Sequence, residues 1–281
     1  MLKTLVVLFA GTYAALALEA GAFDRTLPVS GVVDLDIKSD PGGIIVKTGS
    51  SVSVRVHAVI KPLLGPLDLG ISEANIRALE QNPPIEQVGN RIRIGYVKDP
   101  AVLSGLTMRL EIETPRASQV HAHTSSGGIR IDGIDGPAVT ETSSGRTEIS
   151  DIAGDVTAAA HSGSIRIDNA KGTVVAHNSS GSIDALQLAG SVHAETTSGA
   201  IRISQVIPAP IRALAHSGAI KVDLADSAGY RIDAQSHSGR VSGPAGNGPE
   251  YLANGHRLKE QIGVGGPLVD LDTHSSKIEI N

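Results

Sequence analysis

Residues 125–168 read SSGGIRIDGIDGPAVTETSSGRTEISDIAGDVTAAAHSGSIRID, and the spacing within this stretch decides the fold. Glycine stands at 127, 136, 145, 154 and 163. Working outward, the series continues through 172, 181, 190 and 199, nine glycines at a spacing of nine. The alternate members 127, 145, 163, 181 and 199 each close an SG turn, so the repeating unit is eighteen residues long, with two strands and two turns.

Within the unit the apolar residues alternate, the mark of a strand with one buried face. One inward wall is built from Ile129 and Ile131, Thr147 and Ile149, Ile165 and Ile167, Ile183 and Ala185, and Ile201 and Ile203. The other is built from Ala138 and Thr140, Val156 and Ala158, Val174 and Ala176, and Val192 and Ala194. One coil buries too little to offset the entropy of ordering it, so stacking of coils must supply the rest. The stretch therefore predicts a β-solenoid with a thin, flattened core.

Stacking also puts residues eighteen apart above one another. The outward position between the Ile sites reads Arg130, Glu148, Arg166, Asp184 and Arg202, alternating in sign. Opposite charges on neighbouring strands favour this register, although each exposed pair contributes little. The alternation fails at Lys221, after a one-residue insertion near Pro208 and Pro210.

The pattern continues less perfectly through Gly218 to Val241. Residues 243–265 break the period and predict a long loop, after which LVDLDTHSSKIEI (268–280) supplies a last coil expected to close the C-terminal end. Before the repeat, alternating runs at 32–37, 44–47, 52–60, 91–96 and 108–114 predict strands, and 72–80 predicts one helix stopped by Pro83 and Pro84. The fold class is thus all-β: a solenoid of 18-residue two-strand coils preceded by a small, mostly antiparallel β domain with one short helix. The expected divisions are a signal peptide at 1–22, the N-terminal β domain at 23–117, the solenoid at 118–243, and a loop with its capping coil at 244–281. Thr114-Pro115 leads into the repeat without a flexible linker, so the two folded parts are expected to pack as one rigid body.

Lys3 and the apolar run 5–18 read as a secretory signal, with small residues at Ala15 and Ala17, or at Ala20 and Ala22, for cleavage. An uncleaved anchor is the alternative, but the run is short for a span of roughly 20 residues. The 281-residue chain has no Cys and no Trp, which removes disulfides and thiolate metal sites. Its net charge of −5, with His counted neutral and both signs interspersed, leaves no basic patch for nucleic acid and disfavours polyanions.

The SSG-x-I-x-I turns with G-x-V-x-A returns, preceded by the strand EIETP (111–115), resemble a bacterial family of adhesin-like proteins with β-strand repeats, a domain of unknown function. The resemblance spans 32–281 and implies a cell-envelope or secreted protein. It brings no catalytic residues.

Several candidate sites have a purely structural reading as well. A calcium β-roll needs GGxGxD corners, whereas Asp135, Asp151 and Asp155 hold no fixed corner position. His161, His216 and His237 share one corner column, with Ser125, Ser143, Ser179 and Thr197 in the same row, and only His216 and His237 are expected on adjacent coils. No second type of ligand converges with them. No carboxylate pair with stacking aromatics, no GxSxG elbow and no repeated Thr-x-Thr array can be assembled. No catalytic, cofactor or metal residue is therefore assigned. The reading is a non-enzymatic, exported binding module for an unknown envelope component, glycan or protein. The alternatives are a self-assembling envelope scaffold and, behind it, a polysaccharide-active β-helix enzyme.

Overall fold

A computed structural model describes residues 21–63, 69–225, 229–244, 250–252 and 255–281; the expected signal segment up to residue 20 lies outside the described residues. Two long sheets of 12 and 13 strands face each other across one continuous apolar core. In the middle of the stack the chain climbs one coil per repeat. Ile129–Asp132, Thr147–Ile152, Ile165–Ala170, Ile183–Leu188, Ile201–Gln205 and Ile220–Asp223 run side by side in the first sheet. Ser118–Ser126, Ala138–Ser144, Val156–Ser162, Val174–Ser180, Val192–Ser198 and Ile211–Ala215 do the same in the second. Every pairing among these is parallel, with Ile149 level with Ile131 and Ile167, and Val174 level with Val156 and Val192. Both predicted walls are buried, and the charged row that alternates with the inward residues of the first wall faces out.

The corner glycines serve two ends. Gly145 and Gly163 adopt φ of 146° and 128°, a region that penalises a side chain. A Cβ at Gly163 would also lie 1.9 Å from the Gly145 carbonyl oxygen, so each turn nests on the one before it. A third inward column, Ile134, Ile152, Ala170 and Leu188, breaks the strict alternation. Asp151, Asn169 and Gln187 adopt positive φ just before three of these residues, which turns the chain so that the next side chain points inward.

At the ends the order of the chain and the order of the stack part company. Val33–Ser39 and Ile44–Thr48 form a full rung directly on the 118–132 coil, with Leu35 level with Val120 and Val46 level with Ile131. Arg91–Ile94 and Leu106–Thr114 cover that rung in parallel. The antiparallel pairings of this region involve Gly21–Pro28, Ser53–Pro62 and Leu106–Thr114 in one sheet, and Ile85–Val88 with Arg91–Ile94 in the other. Ile76 and Leu79 of the helix Leu69–Gln81 are buried in the core, and the helix packs on Gly21–Pro28. The helix begins a few residues before the predicted 72.

The C-terminal end corrects two expectations. The last coil does not close the stack. Leu268–Thr273 lies between Ile211–Ala215 and Tyr230–Ser236, and Ile278–Ile280 lies between Ile220–Asp223 and Val241–Ser242. The chain leaves one rung vacant after residue 223, and its final residues fill that place. The stretch expected as a loop carries the hairpin Glu250–Leu252 and Gly255–Ile262, which pairs antiparallel with Tyr230–Ser236 and covers that end of the second sheet. A strand that pairs antiparallel can use polar, Gly-rich sequence with no eighteen-residue period, so the repeat pattern could not reveal it.

Candidate functional site

The outer surfaces of the two sheets carry different chemistry. On the first, Arg130 Nη2 lies 3.2 Å from Glu148 Oε2, and Arg202 Nη1 lies 2.7 Å from Asp184 Oδ1, as the alternating ladder predicts. Arg166 instead meets Asp168 of its own strand at 3.0 Å. Where Lys221 breaks the alternation, the inserted coil places Glu279 beside it at 3.3 Å, and the hydrogen bonds of Lys277 and Lys221 hold the Glu279 carboxyl below its ordinary range. This face is neutralised by its own pairs.

The second sheet holds eight of the ten histidines of the chain on its outward surface and corner: His121, His123, His161, His177, His193, His216, His237 and His274. An open trough of about 860 Å³ follows the corner row across eight adjacent strands, from the rung of His123 to that of His237. At about 4.8 Å per rung, the seven steps between those strands span about 34 Å. Six imidazoles line it, at 123, 161, 177, 216, 237 and 274, together with the carboxylates Glu141, Glu195 and Asp272 and a run of Ser, Thr and Ala.

Two arrangements organise these groups. In mid-trough, Glu195 takes His193 Nε2 at 2.8 Å and His177 Nδ1 at 3.3 Å, while the two rings meet edge to face at 5.6 Å. The hydrogen bond from His193 holds the Glu195 carboxyl below its ordinary value against partial burial, with His177 adding to the effect. At the far end the rings of His216 and His274 stack at 5.1 Å, nearly parallel, and His237 follows at 5.0 Å from His274. Near the opposite end, His123 stands 3.4 Å from Glu141 and 3.7 Å from Asp40. Asp40 is raised by burial but lowered by more through hydrogen bonds from Lys38 and Ser125, so its carboxyl sits below the ordinary range.

Of the three corner histidines picked out by sequence, His161 stands apart from the far-end stack. His216 and His237 are not on neighbouring strands, because His274 of the inserted coil lies between them. The imidazoles stack along the rungs rather than converging, and among the described residues no group of three or more His, Asp or Glu could hold a metal ion. His274 was the residue that sequence reasoning missed. The available signal was THSS (273–276) as a variant of the HSG corner, but its register depended on where the last coil sits. The three aspartates weighed for calcium have partners of their own: Asp135 pairs with Arg116, Asp151 accepts from Asn169, and Asp155 accepts from the Thr173 amide.

A family model described as Toastrack DUF4097 matches residues 90–281. Among solved structures, a "putative adhesin" from Bacteroides fragilis NCTC 9343 shares 14% identity, with 92% of this chain and 97% of that chain covered and a TM-score of 0.49. A "putative cell adhesion protein" from Clostridium sporogenes ATCC 15579 shares 12%, covering 93% and 99%, with a TM-score of 0.33. A "putative adhesin" from Parabacteroides distasonis ATCC 8503 shares 9%, covering 92% and 97%, with a TM-score of 0.38. Comparison with curated proteins gives no match. No helix among the described residues is long and apolar enough to cross a membrane.

Proposed function

The chain belongs to the Toastrack DUF4097 family, and from that premise and the trough we propose that it is a non-enzymatic, exported binding module whose contact surface is the histidine-lined face of the second sheet. The observation that carries this reading is the length and polarity of the trough. It offers a ligand a continuous groove of imidazole, hydroxyl and carboxylate groups over eight rungs, whereas the opposite face has its charges matched in pairs. A rigid stack presents such a row without ordering its backbone at the moment of binding.

Filling the groove tests the reading. Ala159→Trp with Ser179→Trp places two large rings in the trough without touching the core. The variant should keep the wild-type melting temperature and lose about tenfold or more in capture of envelope components, glycan or protein. Undiminished capture would remove the trough from the function.

Export is part of the same proposal. Gly21 and Ala22 already pair with Ile60 and Val59, and the Ala22 amide donates to Glu80 Oε1, which favours cleavage at or before Ala20 over cleavage after Ala22. N-terminal sequencing of the mature protein decides it, and an intact Met1 in the cytosol would overturn export. The rival reading, a self-assembling scaffold, needs open strand edges. The strands Glu250–Leu252 and Gly255–Ile262 cover the C-terminal end of the second sheet, the antiparallel strands with the helix stand at the N-terminal end, and the first sheet ends on the two-residue strand Val241–Ser242, which favours a monomer or small oligomer. Unlimited growth in light scattering across a concentration series would reverse that preference.

A further inference from the structure

The formal charge of −5 counts histidine as neutral, and eight of the ten histidines lie on one face. With imidazoles neutral, the trough carries Glu141, Glu195 and Asp272, a formal charge of −3. With its six imidazoles protonated as well, the charge becomes +3. Imidazole is the side chain whose charge ordinarily changes between pH 5 and 8. We propose that the trough is a pH-gated site for a linear polyanion, an extended polymer bearing carboxylate or sulfate groups, which it binds under acidic conditions and releases near neutrality. The proposal rests on the reading of the trough as the contact surface and adds the ligand class and its control.

The groups around the trough leave this reversal uncompensated. On the flanking row of the same face, Asp36 pairs with Arg93, Asp270 with Arg212, and Asp233 with Arg257. At the corner, Lys38 pairs with Asp40. Each of these pairs cancels within itself. The remaining groups of that row are Lys259, 3.7 Å from Asp233 and positive at both pH values, His121, facing Asp36 at 3.8 Å, and His193, on Glu195, and the two imidazoles add positive charge on acidification in the same direction as the trough. The three lining carboxylates are spread along the groove, near His123, between His177 and His193, and near His237. The far end holds three neighbouring rings, His216 stacked on His274 at 5.1 Å and His237 tilted against His274 at 5.0 Å, with one nearby carboxylate, Asp272, so it becomes the most positive segment. Charges repeating at the rung spacing over about 34 Å suit an extended chain with repeated anionic groups rather than a small molecule.

The test uses a linear polyuronate, with neutral dextran as control, titrated calorimetrically against the mature protein at about pH 5 and about pH 8. Polyuronate should bind at least about tenfold more tightly at the acidic pH and weaken as salt rises, while dextran shows neither effect. The triple variant His216→Gln, His237→Gln, His274→Gln should lose most of the acid-dependent gain. The matching triple change to Arg at the same positions should bind polyuronate at both pH values. Circular dichroism at each pH confirms that the variants remain folded, and His123→Gln with His177→Gln is a second set should the far-end triple not fold.

Equal affinity at the two pH values, equal binding of dextran, or a full pH response in the Gln variants would overturn the proposal. Tighter acid-dependent binding to vesicles of phosphatidylserine and phosphatidylcholine than to polyuronate would assign the site to a membrane surface and also overturn it. Failure here is separable from failure of the trough as a contact surface. The tryptophan variant can lose capture of envelope components while wild-type protein ignores polyuronate at both pH values, which would leave the contact surface standing and remove the polyanion.

Discussion

Along the first sheet the outward row reads Arg130, Glu148, Arg166, Asp184, Arg202, Lys221 and Glu279, and most of these charges find an opposite within the row or strand. Along the second sheet the corresponding surface carries imidazoles, hydroxyls and scattered carboxylates, with His216 stacked on His274 and His237 tilted against it. The two faces share one core and one rung spacing. The difference teaches that the fold constrains which residues point outward but not what they are. One surface serves register, and the other is left available for contact.

The comparison breaks most completely if the shared core is broken. Ile167, fully buried in the first wall, should on change to Asp cost about 3–5 kcal/mol or more and abolish the cooperative melt, while Arg166→Ser beside it stays within about 0.5 kcal/mol. Thermal melts of the two variants that coincide would show that inward and outward had been misassigned. Somewhat smaller is the effect expected in the inserted coil. Leu271, buried in the last coil, should on truncation to Ala cost about 2–5 kcal/mol in denaturant unfolding, as a mid-stack residue would. A near-silent change would mean that the last coil only rests on the end of the stack.

Acid separates the faces more gently. Asp233 on the histidine face is held below its ordinary value of 3.8 chiefly by hydrogen bonds from Arg257, and Glu279 on the paired face below 4.5 by Lys277 and Lys221. A lowered folded value means that the stabilisation is fully present above the ordinary value and is lost as pH falls through the folded one. The loss therefore begins as pH falls to about 4.5 for Glu279 and about 3.8 for Asp233, leaving most of their contribution in place at pH 5. Asp233→Asn should lower the melting temperature at neutral pH and flatten the further drop below pH 4. An unchanged acid limb would remove Asp233 from the account.

The smallest effect tests the ladder itself. Glu148→Lys puts a like charge between Arg130 and Arg166 and should cost about 0.5–1 kcal/mol, reduced by added salt. The same substitution at Glu141, in the trough, should leave stability within about 0.5 kcal/mol near pH 8. Equal costs at the two sites would erase the distinction between a face that holds register and a face that does not.

Much of this was legible in the sequence because it is local and repeated. The nine-residue glycine series gave the corners, the alternation of Ile129 with Ile131 and of Val156 with Ala158 gave the walls, and residues eighteen apart gave the charge ladder. The positive-φ corners were not legible. Asp151, Asn169 and Gln187 differ in type, and only their shared backbone conformation brings Ile152, Ala170 and Leu188 inward. The histidine corner was visible as a column of candidates, but its neighbours were not.

The residue pattern alone specifies the rung: its length, its inward and outward positions and its turn chemistry, since each follows from contacts within eighteen residues or with a similar neighbour. The order of the rungs at the ends emerges only when the whole chain is folded. Folding placed 33–48 against 118–132 and slid 268–280 between 211–223 and 230–242. The reason is that a strand's backbone offers the same hydrogen bonds to any parallel neighbour of matching pattern. The choice among equivalent edges depends on which strands remain to pair with them, and the stack ends on the short or antiparallel strands Gly21–Pro28, Ile85–Val88, Val241–Ser242 and Glu250–Leu252, a property of the whole stack. That choice put His274 between His216 and His237.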